Sequence, residues 1–268
     1  MPLIKKIASL LAIFSVTSVN CQEYQNATVL VCYGDLNPDK IQQYKYVILE
    51  SEHFNPFDVK LIRENNQQVL GYLSVGEVSQ SRDYFDQIKD KTLGKNPLWD
   101  SYYLDLDDPK TRNLLMGLVD KIVKKGFTGL FLDTVDAYGP WGAHAEKTAS
   151  YVSFLSEIKA KYPGLHLMQN AGLQIVPRAK DFINSIAIES VVTDYNFDKG
   201  DYRMRRTSES IERINDLTVV HNQFALPIIL IEYADSQSMF NKVKSQAARL
   251  KWDYFIGNIE LDRLPEYK

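Results

Sequence analysis

Short apolar runs recur along the chain, and each of them stops at a polar or small residue. The run GLFLDTVD at 129–136, for example, brings Asp133 to the end of an apolar segment. Runs of this length that are rich in β-branched and aromatic residues predict buried strands. The predicted strands span residues 28–33, 46–50, 69–75, 129–133, 166–170, 186–190, 227–232 and 254–258.

Most intervals between these strands have apolar positions three and four residues apart, which is the pattern of an amphipathic helix. Asp108 and Pro109 supply an N-cap and a first-turn proline for a helix over 109–125, and Gly126 ends it. The other predicted helices span 55–65, 144–162, 175–185, 207–224 and 236–251. Alternating strands and helices predict an α/β protein with a parallel sheet. Eight apolar strands predict closure of that sheet into a single-domain (β/α)₈ TIM barrel.

Two segments depart from a regular barrel. Residues 76–108 form an extended loop after the third strand, and YYLDL at 102–106 within it is predicted to add a short strand. Only ten residues follow Asn258 at the end of the last strand. The final helix is therefore predicted to be short or missing.

The amino-terminal segment differs in kind from the rest of the chain. Lys5 and Lys6 precede an apolar run at 7–16 that is too short to span a bilayer, which is the layout of a secretory signal. We predict a signal peptide over 1–21, a barrel domain over 22–268 and a secreted or extracytoplasmic location. A lipid anchor at Cys21 is the less favoured alternative, because the residues before it lack the leucine expected there.

Composition and charge narrow the possible partners. The chain of 268 residues is 45% hydrophobic and 24% charged, which is ordinary for a globular protein. A net charge of -3 gives no reason to expect nucleic acid or an anionic membrane surface as a partner. We predict a monomer without a membrane span.

The carboxyl ends of the predicted strands are crowded with carboxylates and carry almost no lysine or arginine. In a barrel of parallel strands, the chemistry takes place at this end. The polar groups predicted there are Tyr33, Asp35, Glu50, Glu52, Glu77, Asp133, Asp136, Asn170, Glu189, Asp194, Glu232, Asn258 and Glu260.

Three other chemistries lack the residues that they need. No predicted strand supplies a lysine for a Schiff base, and no glycine-rich turn follows the late strands to bind a phosphate. Only His53 and His144 fall in loops at the carboxyl ends of the strands, so a histidine metal site is not predicted either. We therefore expect neither a metal nor a cofactor.

Paired carboxylates remain, and glycoside hydrolysis is the reaction that most directly requires two of them. One carboxylic acid protonates the leaving oxygen while the other, ionised, attacks the sugar carbon or activates water. Asp133 and Glu189 end the fourth and sixth strands, so we expect them to face each other across the barrel mouth. Asp133 is too far from the helix predicted near His144 to cap it. A structural salt bridge is the alternative role for Glu189.

Several short segments carry a further signal: YVILES (46–51), VLGYLSVGE (69–77), GLFLDTVD (129–136), QNAG (169–172), AIES (187–190) and IEY (231–233). Taken in this order, they resemble glycoside hydrolase family 114, the endo-α-1,4-polygalactosaminidase-like barrel family. The resemblance implies that Asp133 and Glu189 are the catalytic pair, with Asp133 as the nucleophile and Glu189 as the acid/base.

The same resemblance implies a substrate, a polysaccharide of galactosamine and N-acetylgalactosamine. The free amines of such a polymer are cationic at neutral pH, and an acidic rim attracts a polycation. The residues predicted to bind it are Tyr33, Tyr72, Glu77, Asp136, Asn170, Asp194, Tyr195, Glu232 and Tyr233. For Glu77, Asp136 and Glu232, a supporting role is an equally open alternative.

Two other functions stay open at this point. The chain is alternatively a secreted carbohydrate-binding barrel without turnover, or a hydrolase of a different exopolysaccharide. Binding without turnover predicts that the polymer is never shortened, whereas hydrolysis predicts new reducing ends. The sequence leaves endo against exo action, and retention against inversion, undecided.

Overall fold

The computed structural model describes residues 28–266, and a barrel of parallel strands forms its centre. In chain order the strands are β1 (Val29–Cys32), β2 (Tyr46–Leu49), β3 (Gln68–Ser74), β4 (Glu77–Ser79), β5 (Thr92–Asn96), β6 (Ser101–Leu104), β7 (Gly129–Asp133), β8 (His166–Asn170), β9 (Ser185–Glu189), β10 (Thr193–Asn196), β11 (Asp201–Met204), β12 (Ile228–Tyr233) and β13 (Asp253–Gly257). The main sheet has the order β1-β2-β3-β7-β8-β9-β12-β13, and every neighbouring pair in it is parallel. Its edge strands β1 and β13 lie next to each other, so the sheet is nearly closed as a barrel. The eight predicted strands and the TIM barrel are confirmed.

The barrel strands are buried on both faces. Every residue of β1, β2 and β12 is buried, as expected for a parallel sheet with helices outside and packed side chains inside. No helix in residues 28–266 is long and apolar enough to cross a bilayer. The predicted signal peptide at 1–21, including Cys21, lies outside the described residues and stays a prediction.

Every α-helix of the described residues lies in a predicted interval, except a short one in the extended loop. They are α1 (Pro56–Asn65), α2 (Phe85–Ile88), α3 (Pro109–Lys125), α4 (Thr148–Lys161), α5 (Val176–Ala179), α6 (Thr207–Phe224) and α7 (Gln237–Leu250). In α3 the Asp108 side chain accepts hydrogen bonds from the backbone N–H of Lys110 and Thr111, and Gly126 ends the helix at a φ of 104°. The predicted cap and stop of this helix are therefore both present.

Helix α5 is much shorter than the predicted helix over 175–185, which was wrong in length. The backbone N–H of Asn184 donates a hydrogen bond to the carbonyl of Leu167, which belongs to the neighbouring strand β8. The Asn184 side chain also accepts from the Leu167 N–H at 3.0 Å. Because Asn184 is already bound to a strand, the helix has to end before it.

The extended loop after β3 contains a small antiparallel sheet with the order β4-β6-β5. Strand β6 corresponds to the short strand predicted at 102–106. The buried Tyr138 hydroxyl lies 2.9 Å from both the Val75 and the Leu104 carbonyl oxygens, which ties this sheet to the barrel rim. At Gly76, a Cβ would lie only 2.0 Å from the Thr134 carbonyl oxygen, so the loop requires glycine there.

The chain end confirms that a regular final helix is missing from the described residues. Residues 258–266 contain no helix, and they contact the residues that follow β1. The Leu261 carbonyl accepts a hydrogen bond from the Tyr33 N–H at 2.6 Å. Gly34 allows this approach, because a Cβ there would lie 1.8 Å from the Asp262 carbonyl oxygen.

Candidate active site

Three adjacent barrel strands end in polar side chains at the mouth of the barrel. Asp133, Asn170 and Glu189 are the last residues of β7, β8 and β9, which are neighbours in the sheet. Asp133 and Glu189 therefore lie on either side of the strand that carries Asn170. The sequence predicted both carboxylates correctly as strand-end residues.

The residue that follows each of these three strand ends has a left-handed backbone. The φ angle is 60° at Thr134, 59° at Ala171 and 56° at Ser190. For residues with a Cβ this conformation costs roughly 1–2 kcal/mol, and such strain concentrates at functional sites. The chain thus turns sharply just after each polar side chain. Gly172, itself left-handed at a φ of 62°, follows Ala171, whereas no glycine directly follows Thr134 or Ser190. Two of the three turns therefore carry no glycine signal in the sequence.

Asn170 bridges the two carboxylates. Its Nδ2 donates one hydrogen bond to Asp133 Oδ1 at 2.8 Å and another to Glu189 Oε1 at 2.7 Å. Both accepting oxygens are bound to one nitrogen, so they lie no farther apart than the sum of these distances, about 5.5 Å. The structure brings the predicted catalytic pair together through a residue that was predicted to bind substrate.

Two tyrosine hydroxyls complete the hydrogen bonding of the pair. Tyr72 donates to Asp133 Oδ2 at 2.8 Å, and Tyr233 donates to Glu189 Oε2. Tyr33 packs edge-on against Tyr72, with 4.7 Å between the ring centroids. Each carboxylate thereby accepts one tyrosine and one asparagine hydrogen bond, which fixes its orientation.

The environment of Glu189 suits a proton donor. Burial and the negative charge of Asp133 raise the pKa of Glu189, although hydrogen bonds from Tyr233 and Asn170 act in the opposite direction. A carboxylic acid with a raised pKa stays protonated at higher pH, which suits a general acid.

Two more carboxylates lie on the wall of the same pocket. Glu77 is 8% exposed and accepts hydrogen bonds from Asn96, at 3.0 Å, and from Ser101, both in the small sheet. Asp136 lies in the 3₁₀ turn that follows β7. Desolvation and the charges of Asp133 and Glu77 raise its pKa. The predicted acidic character of the rim is therefore present around Asp133 and Glu189.

An open pocket of 720 Å³ connects these groups. The predicted residues that line it are Tyr33, Tyr72, Glu77, Asp133, Asp136, Asn170, Glu189 and Tyr233. Arg82 and Arg213 also line it, so the expectation of an almost cation-free rim was wrong at these two positions. Arg82 comes from the extended loop and Arg213 from α6, whereas the sequence argument considered strand ends alone.

Arg82 also supports Asp133, indirectly through Tyr72. Its guanidinium donates to Glu50 at 2.7 Å and lies 5.8 Å from the centre of the Tyr72 ring. Tyr72 in turn donates to Asp133. Glu50, predicted at the rim, is thus paired with an arginine instead of facing the pocket freely.

Asp194 and Tyr195 lie outside the pocket, in the hairpin formed by β10 and β11, which the sequence did not predict. Asp194 accepts from Arg203 at 2.8 Å and from Arg205 at 3.2 Å. Tyr195 packs against Tyr202 of the facing strand, with 4.8 Å between centroids. The structure gives both residues supporting contacts within the hairpin, and neither lines the pocket.

Glu232 is fully buried and also lies outside the pocket. Its Oε1 accepts from the N–H groups of Val191 and Val192, each at 3.0 Å, and its Oε2 accepts from the N–H and hydroxyl of Thr193. Burial raises the pKa of Glu232 to about 7, although these hydrogen bonds lower it. Glu232 thus holds the segment that follows Glu189.

We expect Glu232→Gln to lower the free energy of unfolding by about 2–4 kcal/mol, because an amide nitrogen would face buried N–H donors. Urea unfolding followed by circular dichroism measures this loss. Glu64→Gln, on the exposed face of α1, is the matched control and should change stability by less than about 0.5 kcal/mol. Equal stability of the Glu232 and Glu64 variants would contradict the anchoring role.

Comparison with known proteins gives a family and close structural matches. A family model described as glycoside-hydrolase family GH114 matches residues 20–268. The glycoside hydrolase domain of PelA from Pseudomonas aeruginosa has a TM-score of 0.78 and 26% identity, covering 88% of this chain and 96% of that one. Ega3 of Aspergillus fumigatus, solved in complex with galactosamine, has a TM-score of 0.69 and 18% identity, covering 92% and 98%. At that identity, the likeness to Ega3 shows the fold alone.

Sequence relatives extend the match to other organisms. An uncharacterized protein of Methanocaldococcus jannaschii is 26% identical over 155 residues, which are 54% of this chain and 42% of the relative. One of Deinococcus radiodurans is 22% identical over 206 residues, which are 73% and 66%. The chain therefore spans less than two thirds of the length of these relatives. Since the family model matches nearly the whole sequence, the chain belongs to glycoside-hydrolase family GH114.

Proposed function

We propose that the chain is a retaining glycoside hydrolase that cleaves α-1,4-linked galactosamine and N-acetylgalactosamine polysaccharide. The observation that carries this proposal is the Asn170 bridge, because it holds two carboxylates on either side of one nitrogen at the mouth of the barrel. Glycoside hydrolysis uses such a pair directly.

In the first step, Glu189 acts as the acid and Asp133 as the nucleophile. Glu189 gives its proton to the glycosidic oxygen while Asp133 attacks the anomeric carbon, so the bond to the leaving sugar breaks and an ester to Asp133 forms. In the second step, the ionised Glu189 takes a proton from water, whose oxygen displaces Asp133. The raised pKa of Glu189 supports this division of roles.

The separation of the two carboxylates supports retention. Retaining enzymes place the carboxyl groups about 5–5.5 Å apart, whereas inverting enzymes need about 6.5–9.5 Å to fit a water molecule. The Asn170 bridge limits the distance between Asp133 Oδ1 and Glu189 Oε1 to at most about 5.5 Å. A direct attack by Asp133 fits this spacing better than attack by an intervening water.

The acidic pocket supports a cationic substrate. Glu77 and Asp136 lie on the same pocket wall as the catalytic pair, and clustered carboxylates concentrate cationic ligands. Ega3, which shares the fold, was solved with galactosamine bound. A partly deacetylated polymer offers the same amino sugar along its length.

A reducing-end assay on purified protein tests the proposal. Partly deacetylated α-1,4-galactosaminogalactan should yield new reducing ends with the parent chain and none with Glu189→Gln. Glu64→Gln, an exposed carboxylate on α1, should cleave like the parent. If the parent binds the polymer and never shortens it, the chain is a carbohydrate-binding barrel instead. If the parent cleaves a neutral polysaccharide and not this polymer, the substrate is a different one.

We also propose that residues 1–21 are removed during export and that the mature chain is a monomer. Mass spectrometry of protein recovered from the medium should then give a chain that begins near residue 22. Size-exclusion chromatography with light scattering should give the mass of one copy. An intact amino terminus or an added lipid mass at Cys21 would contradict the export route proposed here.

Tyr233→Phe is expected to move the alkaline limb of the activity profile to higher pH. The Tyr233 hydrogen bond lowers the pKa of Glu189, so its removal raises that pKa and keeps the acid protonated at higher pH. The measurement is kcat/KM as a function of pH. Tyr162→Phe, which removes a hydroxyl bound to Asp120 outside the pocket, should leave the profile unchanged. An alkaline limb that moves to lower pH would contradict the role of Tyr233.

A further inference from the structure

Two exposed aromatic rings meet at the rim of the pocket. Trp99 and Phe197 are each 60% exposed, and both line the pocket that contains the catalytic pair. Their rings contact each other edge to face, with 4.9 Å between centroids. Trp99 follows β5 in the extended loop, whereas Phe197 lies in the turn of the β10–β11 hairpin. Two distant insertions thus build one apolar surface at the mouth of an acidic cleft.

The hairpin holds Phe197 in place. Tyr195 packs against Phe197 with 4.9 Å between centroids, and it also packs against Tyr202. The Tyr202 hydroxyl accepts a hydrogen bond from the Ile259 N–H at 2.9 Å, just after the last barrel strand. A row of aromatic rings therefore links the barrel to the pocket rim.

The loop that carries Trp99 is also anchored. The Asn96 side chain accepts a hydrogen bond from the Leu98 N–H at 3.1 Å and donates to Glu77 at 3.0 Å. The backbone next to Trp99 is thus tied to a carboxylate on the pocket wall. Rings that are fixed before binding lose little conformational freedom when a ligand arrives.

We propose that Trp99 and Phe197 form an outer sugar-binding subsite, which holds a pyranose ring of the polymer away from the bond that is cleaved. This inference rests on the proposed function for its substrate. One face of a pyranose carries C–H groups that pack on aromatic rings, and a free amine adds attraction to the ring electrons. In this proposal, a pyranose ring covers the aromatic surface of Trp99 and Phe197, which is otherwise exposed to solvent.

Pocket size and position agree with an extended ligand. The pocket volume of 720 Å³ falls within the roughly 300–1,000 Å³ of sites that enclose drug-sized ligands. Asp133 and Glu189 come from strand ends, whereas Trp99 and Phe197 come from surface loops that line the same space. A polymer that binds at the strand ends and at the outer subsite together is cleaved more efficiently than an oligomer that reaches only one of them.

Kinetics on oligosaccharides of increasing length tests the subsite. Trp99→Ala and Phe197→Ala should each lower kcat/KM on long polymer about tenfold, mainly through KM, and leave the shortest cleaved oligomer unaffected. Trp99→Tyr should recover most of the loss. Phe57→Ala, which removes an 84% exposed ring from α1, is the control and should behave like the parent. Equal losses on short and long substrates would overturn the proposal.

A binding measurement separates this inference from the proposed function. In the Glu189→Gln background, Trp99→Ala should weaken binding of partly deacetylated α-1,4-galactosaminogalactan about tenfold, with an unchanged melting temperature. Unchanged affinity would overturn the subsite even if the parent cleaves the polymer. A loss of affinity would support it even if the parent cleaves nothing, in which case only the hydrolase proposal fails.

Discussion

Asp133→Asn is expected to lower kcat on partly deacetylated polymer by about 10⁴-fold, because an amide cannot form the ester that the first step requires. The change keeps the shape of the side chain. Its one remaining oxygen accepts from Tyr72, and an amide nitrogen replaces the oxygen that Asn170 binds. Polymer affinity should therefore stay within a few-fold of the parent value. Reducing-end kinetics and equilibrium binding measure the two quantities separately.

The control for this experiment is a second aspartate that also accepts a tyrosine hydrogen bond but does not line the pocket. Asp120 accepts hydrogen bonds from Lys161 and Tyr162 on the outside of the barrel. Asp120→Asn should leave kcat unchanged. If Asp133→Asn cleaves at a rate similar to that of Asp120→Asn, Asp133 is not the nucleophile.

Asn170→Ala is expected to produce the second largest loss, about 10²- to 10³-fold in kcat, without any direct contact with the bond being broken. The change removes the shared donor, so two carboxylates within about 5.5 Å lose the group that orients both of them. Asn170 also lowers the pKa of Glu189. Its removal should raise that pKa and shift the alkaline limb of the rate profile to higher pH.

The pH shift separates positioning from a general loss of structure. Asn65→Ala, which removes an exposed side chain at the end of α1, is the control and should change neither the rate nor the profile. A loss of activity in Asn170→Ala with an unmoved alkaline limb would mean that Asn170 supports the fold and does not tune Glu189.

The barrel and the strand-end positions of Asp133 and Glu189 were predictable because both are encoded locally. A buried parallel strand needs an unbroken apolar run, and the polar residue that ends it must lie at the rim. GLFLD and AIE therefore placed Asp133 and Glu189 before any contact was known. The same reasoning assigned Asn170 to the rim, but its bond to both carboxylates depends on how neighbouring strands align.

The roles that the sequence left open or did not reveal depend on contacts between distant segments. Glu232 ends an apolar run like the others, yet its carboxylate binds the N–H groups that follow β9, about forty positions earlier. Asp194 follows a strand as predicted, but it pairs with arginines of a hairpin that the sequence pattern did not reveal. Arg82 enters the pocket from a long loop. None of these partners is visible as local periodicity.

The strained turns after the strands were equally hidden. A left-handed residue is usually expected at glycine or asparagine, whereas Thr134, Ala171 and Ser190 are neither. Only the assembled barrel, with all three turns at the same end, shows that the strain coincides with the row formed by Asp133, Asn170 and Glu189.

Proton NMR of the product during the first minutes of cleavage tests the central claim most directly, because it reports how Asp133 and Glu189 act on the sugar. If Asp133 attacks directly and Glu189 serves as acid and base, the new reducing end carries the α configuration first and then equilibrates with the β form. A new end that appears first as the β anomer would contradict the proposed pair mechanism, since it requires water to attack in place of Asp133.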